Sequence, residues 1–386
     1  MLPLKTGVEA LLLSGATVQA AAQTSPDRIE NGYIRPQEAA ILTRRGTYIT
    51  EQVRFKGSPA ELILAGTFTK PSGNGPYPAV ILLAGSGPND QDEAPALKGW
   101  QSSGHRKFLV LADALTRAGF AVLRYDKRGV GQSTGDFSLA NLSDYTADAE
   151  AALRFLKSRH DVAQHWIGLI GDSEGGFIAP MVASRNSGIS FVVLLSTGAL
   201  PYEQMSLLQK EAIARAEGKS EADIAADDVL YRRIFGILRT AETPEQARAQ
   251  LTLAAAPLIA SGRYSKAEAD LAIAGLTSPL GIEMERFDPR PHLQRLAVPV
   301  LVVSGALDTQ IPPAANLPAM REALSGNPDV TIRELDGINH QLQRARTGAP
   351  SEYASIAETI NPAVVDIIRE WMDAHALSGP ARPSQK

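Results

Sequence analysis

Trp166-Ile167-Gly168-Leu169-Ile170-Gly171-Asp172-Ser173-Glu174-Gly175-Gly176 reads as a short apolar strand running directly into Gly-x-Ser-x-Gly. A residue at the apex of a sharp strand-to-helix turn needs glycine two places before and two places after, where a side chain would collide. Such a turn lifts the Ser173 hydroxyl clear of a sheet and sets it at a helix N-terminus, where backbone N–H groups are free. Gly176-Phe177-Ile178-Ala179-Pro180-Met181-Val182-Ala183 supplies the apolar helix that the turn requires.

Outward from this stretch, strand and helix patterns alternate. Upstream lie a helix over 108–115 stopped by Gly119, a strand over 120–125 and a helix over 145–160. Downstream, Phe191-Val192-Val193-Leu194-Leu195 reads as a buried strand. Before them, patterns over 53–56 and 62–68 flank the turn Gly57-Ser58-Pro59 and lead to the apolar run Pro78-Ala79-Val80-Ile81-Leu82-Leu83. This order predicts an antiparallel entry hairpin feeding a parallel sheet covered by helices. A short helix is expected around 36–42.

The alternation stops at about residue 200. Between 200 and 290 there is no strand pattern, but three helix starts: Ser220-x-x-Asp223, Thr243-Pro244-Glu245-Gln246 and Ser265-x-x-Glu268. Val229, Leu230, Ile234, Ile237 and Leu238 suggest one apolar face. This segment is expected to be a helical cap seated on the carboxyl edge of the sheet, with that face lining a pocket for short acyl chains. The α/β pattern resumes over 291–377, with strands over 298–303 and 330–335 and helices over 317–324 and 363–375. The polar tail 378–386 is expected to be disordered.

Composition narrows the function classes. The 386 residues carry a net charge of −4, from 38 basic and 42 acidic residues without a basic cluster, which argues against a nucleic-acid surface. Cysteine is absent, excluding disulfides, thiolate metal sites and a cysteine nucleophile. No metal-spaced cluster or cofactor motif appears, so neither a metal nor a cofactor is expected. The apolar run after Lys5, followed by Val18-Gln19-Ala20 and Ala20-Ala21-Ala22, reads as a signal peptide over 1–22, implying a secreted or periplasmic protein. Glu9 and the single cation also fit a loosely packed N-terminal arm on a cytoplasmic protein. No other stretch is apolar enough to span a bilayer.

A serine hydroxyl needs a base, and the base needs an orienting carboxylate. With this turn the order Ser…Asp/Glu…His is expected, which leaves three histidines. His292 lies between prolines ahead of the resumed sheet, and His375 ends the last helix. His340 follows the strand 330–335 in a turn, and is the expected base. Asp308, in the loop after Val300-Leu301-Val302-Val303, is the expected acid, while Asp336 sits so close to His340 that it more plausibly shapes the turn. The oxyanion is expected to meet the backbone N–H groups of Glu174 and of Ser86, in the loop Ala84-Gly85-Ser86-Gly87-Pro88. The segment 125–133 is expected to brace the site and pair charges, without direct chemistry.

Taken together, Gly85-Ser86-Gly87-Pro88, the run 124–133, the elbow 168–176, Phe287-Asp288-Pro289, the run 305–312 and Asn339-His340 resemble the α/β-hydrolase superfamily, and within it bacterial serine carboxylesterases. The likeness covers roughly residues 50–375. It implies a mostly parallel central sheet flanked by helices with an inserted helical cap, the triad Ser173, Asp308 and His340, and a small-molecule ester as substrate. Two positions depart from the group's pattern. Asp172 stands where His is usual, bringing extra negative charge to the site, and Gln91 stands where Arg is frequent. A peptidase, amidase or thioesterase on the same fold, or a non-catalytic binding protein, are the alternatives.

Overall fold

The computed structural model describes residues 34–44, 46–94 and 104–377. The expected signal peptide and polar tail lie outside the described residues. An eight-stranded sheet runs β1 (Tyr48–Lys56), β2 (Ile63–Pro71), β4 (Ala121–Tyr125), β3 (Tyr77–Leu83), β5 (Val162–Asp172), β6 (Phe191–Leu195), β7 (Val300–Gly305), β8 (Val330–Leu335) from edge to edge. β1 and β2 pair antiparallel, and β2 joins β4 antiparallel. The pairs from β4 to β8 are all parallel.

The central strands carry near-continuous apolar runs, such as 80–83, 191–195 and 300–303, because both faces are covered. Successive side chains alternate between faces. Val80 and Leu82 of β3 therefore join Val193 and Leu195 of β6 and Leu301 and Val303 of β7 in one core. It is roofed by Leu111 and Leu115 of α2 (Lys107–Arg117) and by Ile368 and Met372 of α12 (Pro362–Leu377). Ile81, Leu83, Val192, Leu194, Val300 and Val302 face the opposite way into a second core. That core is closed by α3 (Leu142–Lys157), α4 (Gly175–Ala183) and α11 (Pro313–Ala323). A short α1 (Pro36–Thr43) precedes the sheet.

Several element starts differ from the sequence reading: β1 begins at Tyr48 rather than 53 and α11 at Pro313 rather than 317, and two others have a visible cause. α3 begins at Leu142 rather than 145, because Asn141 and Asp144 form a reciprocal capping box that starts the helix one turn earlier. β5 begins at Val162, carried by pairing with Tyr77 although 163–165 lack an apolar pattern.

Between β6 and β7 lie five longer helices: α5 (Tyr202–Ala216), α6 (Glu221–Thr240), α7 (Pro244–Ala260), α8 (Lys266–Leu276) and α9 (Pro279–Glu285). The short α10 (Arg290–Leu293) leads back to the sheet. Ser220, Thr243 and Ser265 each accept the N3 backbone N–H of their helix, and Ser265 with Glu268 completes the box. Each such cap contributes about 1 kcal/mol. The expected apolar face of α6 is corrected. Its buried series is Ile224, Tyr231, Phe235 and Leu238, whereas Val229 is 70% exposed. At 100° per residue, Val229 lies on the side opposite Tyr231. Tyr231, Phe235 and Leu238 pack with Leu251, Ile273 and Leu276 in a third core internal to this helical segment.

Candidate active site

β5 ends at Asp172, and Ser173 occupies the turn with φ +49°, a left-handed conformation costly for a side chain-bearing residue. The flanking glycines are obligatory. A Cβ on Gly171 would lie 2.2 Å from the Gly175 carbonyl oxygen, and one on Gly175 would lie 2.0 Å from that of Leu83. Gly175→Ala must therefore move α4 away from β3. It should cost at least about 1–3 kcal/mol, read by denaturant unfolding, and strip Ser173 of its reactivity to a small phosphonate.

Three loops at the carboxyl ends of strands bring Ser173, His340 and Asp308 together. His340 Nε2 lies 3.2 Å from Ser173 Oγ. His340 Nδ1 lies 2.9 Å and 3.0 Å from the two Asp308 carboxylate oxygens. Asp308 Oδ1 also accepts the backbone N–H groups of Gln310 (2.9 Å) and Ile311 (2.7 Å). Those bonds fix the orientation of the buried carboxylate. The other candidates lie elsewhere. Asp336 is exposed. His292 stacks on Phe287, and His375 stacks on Trp371 while bonding its carbonyl at 2.7 Å.

Ser86 and Glu174 meet across the site, with Ser86 Oγ donating to Glu174 Oε2 at 3.2 Å. Among the described residues, neither the Ser86 nor the Glu174 backbone N–H makes a hydrogen bond. Lys127, from the segment read as a brace, donates to Glu174 Oε1 (2.9 Å) and to the Gly85 carbonyl (2.5 Å).

The extra charge of Asp172 is compensated by a residue the sequence reading missed. Asp172 Oδ2 accepts from Lys107 Nζ at 2.8 Å, with Glu93 Oε2 3.5 Å from the same ammonium. All three side chains are buried. Burial, with the Asp172 charge beside it, pushes the Glu93 carboxyl up to about 8. Burial pulls the Lys107 ammonium down, but the two carboxyl groups more than offset this and hold it above its ordinary value. Glu93 itself sits at φ +63° and accepts the Gly85 N–H at 2.7 Å through Oε1. Gln91, the second departure, bonds Thr67 and Asp126 and is not part of the cavity wall.

A cavity of ≈ 90 Å³ opens beside Ser173 and His340. Phe177 and Ile311 form its apolar wall from the sheet side. Tyr202, Met205, Gln209 and Met284 close it from the helical segment. The expected lining by 229–238 is thereby corrected, since the inward side of that stretch, Tyr231, Phe235 and Leu238, is spent on the internal core and Val229 faces solvent. It is α5 and α9 that reach the cavity. Among the described residues no group of side chains is arranged to hold a metal ion, and no helix is long and apolar enough to cross a membrane.

Known proteins are similar to this chain in sequence or in fold. Residues 101–225 match the Hydrolase_4 family, described as serine aminopeptidase, S33. Over 310 residues the chain is 27% identical to esterase EstD of Thermotoga maritima, a match covering 80% of this chain but only 65% of EstD. The fold is similar to that of a Pyrococcus furiosus esterase, at a TM-score of 0.51 and 15% identity, over 92% of this chain and 100% of that one. It is also similar to the alpha/beta hydrolase GrgF from Penicillium sp. sh18, at 0.50 and 15%, over 85% and 98%. The mostly parallel sheet and the strand-to-helix serine turn give the chain an α/β-hydrolase fold, similar to that of these relatives.

Proposed function

We propose that the protein is a carboxylesterase that cleaves short-chain esters through an acyl-enzyme on Ser173. The observation that carries this reading is the unbroken hydrogen-bonded chain Ser173–His340–Asp308 at the mouth of a confined, partly apolar cavity. His340, neutral and oriented by Asp308, takes the Ser173 proton as Oγ attacks the acyl carbon. The oxyanion forms against the free N–H groups of Ser86 and Glu174, and the imidazolium then protonates the departing alcohol. Water, deprotonated by His340, releases the acid. The esterase name of EstD supports the same activity.

The peptidase reading, which the name of the matching family suggests, needs an anion to hold a substrate ammonium. The carboxyl groups at the cavity are already committed: Asp172 to Lys107, Glu174 to Lys127, and Glu93 to the Gly85 N–H and the same Lys107. Turnover of p-nitrophenyl acetate and butyrate without turnover of aminoacyl-nitroanilides is expected. Amide turnover of equal efficiency would replace this reading by the peptidase one. Export, read from the N-terminal sequence, belongs to the same proposal.

Chain-length preference should reside in Met205 and Met284. Each methylene newly accommodated is worth about 0.8 kcal/mol of transition-state binding, roughly fourfold in kcat/KM. Met205→Ala or Met284→Ala should therefore move the optimum to longer p-nitrophenyl esters, while Val229→Ala leaves the profile in place. An unchanged profile in both methionine variants would remove the helical segment from acyl selection.

A further inference from the structure

We propose that Lys127 is the positioning residue of the oxyanion site, setting the direction of both its N–H donors through one buried ammonium. The inference rests on the ester-hydrolase reading above and goes beyond it by assigning a residue that contacts neither substrate nor Ser173.

The argument starts from the peptide bond. The Gly85 carbonyl and the Ser86 N–H belong to one planar group, and cis bonds occur among the described residues only at Ser58-Pro59 and Gly75-Pro76. In a trans peptide the carbonyl and the N–H point in opposite directions, so whatever fixes the first aims the second. Lys127 Nζ holds the Gly85 oxygen at 2.5 Å and Asn89 Nδ2 holds it at 2.9 Å. The Gly85–Ser86 peptide cannot flip without breaking those two bonds, and Glu93 anchors the N–H of the preceding peptide. The Ser86 N–H is left free and turned away from Lys127. A cation on the carbonyl oxygen also polarises the peptide and makes that N–H a stronger donor.

The same ammonium reaches the second donor. Glu174 carries the other free N–H, and its carboxylate is tied to Lys127 at 2.9 Å and to the Ser86 hydroxyl at 3.2 Å. The remaining side of the ammonium faces the Tyr145 ring, 4.8 Å from its centroid. Lys127 is 5% exposed, and its three donors are matched by a carbonyl, a carboxylate and an aromatic face. Stability alone does not call for such a residue, because a buried ion pair is commonly replaced by apolar groups without loss. What an apolar side chain cannot do is hold a carbonyl.

The test uses the full chain and three proteins: wild type, K127M and K127M/E174Q. Removing one oxyanion donor costs about 10²–10³ in kcat, so a misaligned one should cost about a hundredfold or less. K127M is expected to lower kcat for p-nitrophenyl acetate about thirty- to a hundredfold with KM within about twofold, and to slow phosphonylation of Ser173 in parallel. The double variant removes the buried charge that K127M strands, so it tests folding separately from positioning. It is expected to fold and to stay within about threefold of K127M. Recovery of wild-type kcat in the double variant would mean that Lys127 merely neutralises Glu174, and would overturn the proposal. Unchanged kcat in K127M, or a loss confined to KM, would do the same while leaving the esterase reading intact. A wild-type protein that neither turns over esters nor takes the phosphonate on Ser173 would remove both together.

Discussion

Ser173→Ala is expected to abolish ester turnover, by roughly 10⁴–10⁶-fold in kcat, while leaving the unfolding midpoint near that of the wild type. The change removes one oxygen from a turn held by Gly171, Gly175 and the Ser173 N–H bond to the Leu195 carbonyl (2.8 Å), none of which involves the hydroxyl. His340→Ala should cost a similar factor, because without a base the hydroxyl keeps its proton. The decisive measurement is the double variant. Groups that act as one unit lose their function once, so Ser173→Ala with His340→Ala should be little worse than either alone. Losses that multiply would separate the two residues and break the proposed chemistry. Retained turnover in Ser173→Ala would discard the nucleophile altogether.

Lys107→Met is expected to be the most destabilising single change near the site, by about 3–5 kcal/mol in denaturant unfolding at neutral pH. The ammonium is the cation shared by Asp172 and Glu93 in a buried cluster, and methionine leaves the remaining anion uncompensated. Adding Asp172→Asn removes that anion and should restore most of the loss. The deficit has a definite pH sign. A buried carboxyl without its cation is stable only when protonated, so its folded pKa lies above the unfolded one. The stabilising form is then present at low pH and lost as pH rises, and the gap between Lys107→Met and wild type should narrow from pH 7 to pH 5. A gap that widened on acidification, or a variant as stable as wild type, would show that the ion cluster is not what holds this corner.

What could be read from the chain without coordinates follows from how far apart the partners are. The meeting of Ser173, Asp308 and His340 could be anticipated because each follows the carboxyl end of a strand, beside turn residues whose backbone demands are local. The same holds for the alternating strands and helices, since one apolar run such as 80–83 encodes both cores at once. Lys107 was not legible: it meets Asp172 from 65 positions away, at the start of a helix whose apolar pattern gives no hint of a buried cation. Lys127 was read only as a brace, because its bond to the Gly85 carbonyl comes from folding two loops together. The side of α6 that turns inward was misread for a related reason. Apolar residues occupy more than one side of that helix, and only the neighbouring helices decide which side is buried.

The internal core of the helical segment also bears on how this protein can change over generations. Tyr231, Phe235, Leu251 and Ile273 satisfy one another without help from the sheet, and the pairing of β6 with β7 is fixed by the strands themselves. The residues that touch the cavity come from only two of its helices, α5 and α9. Under the proposed chemistry, the side chains that would select the acyl group and those that would cleave the bond therefore lie in separable stretches of the gene, so drift or recombination within 202–285 would retune the first without touching the second.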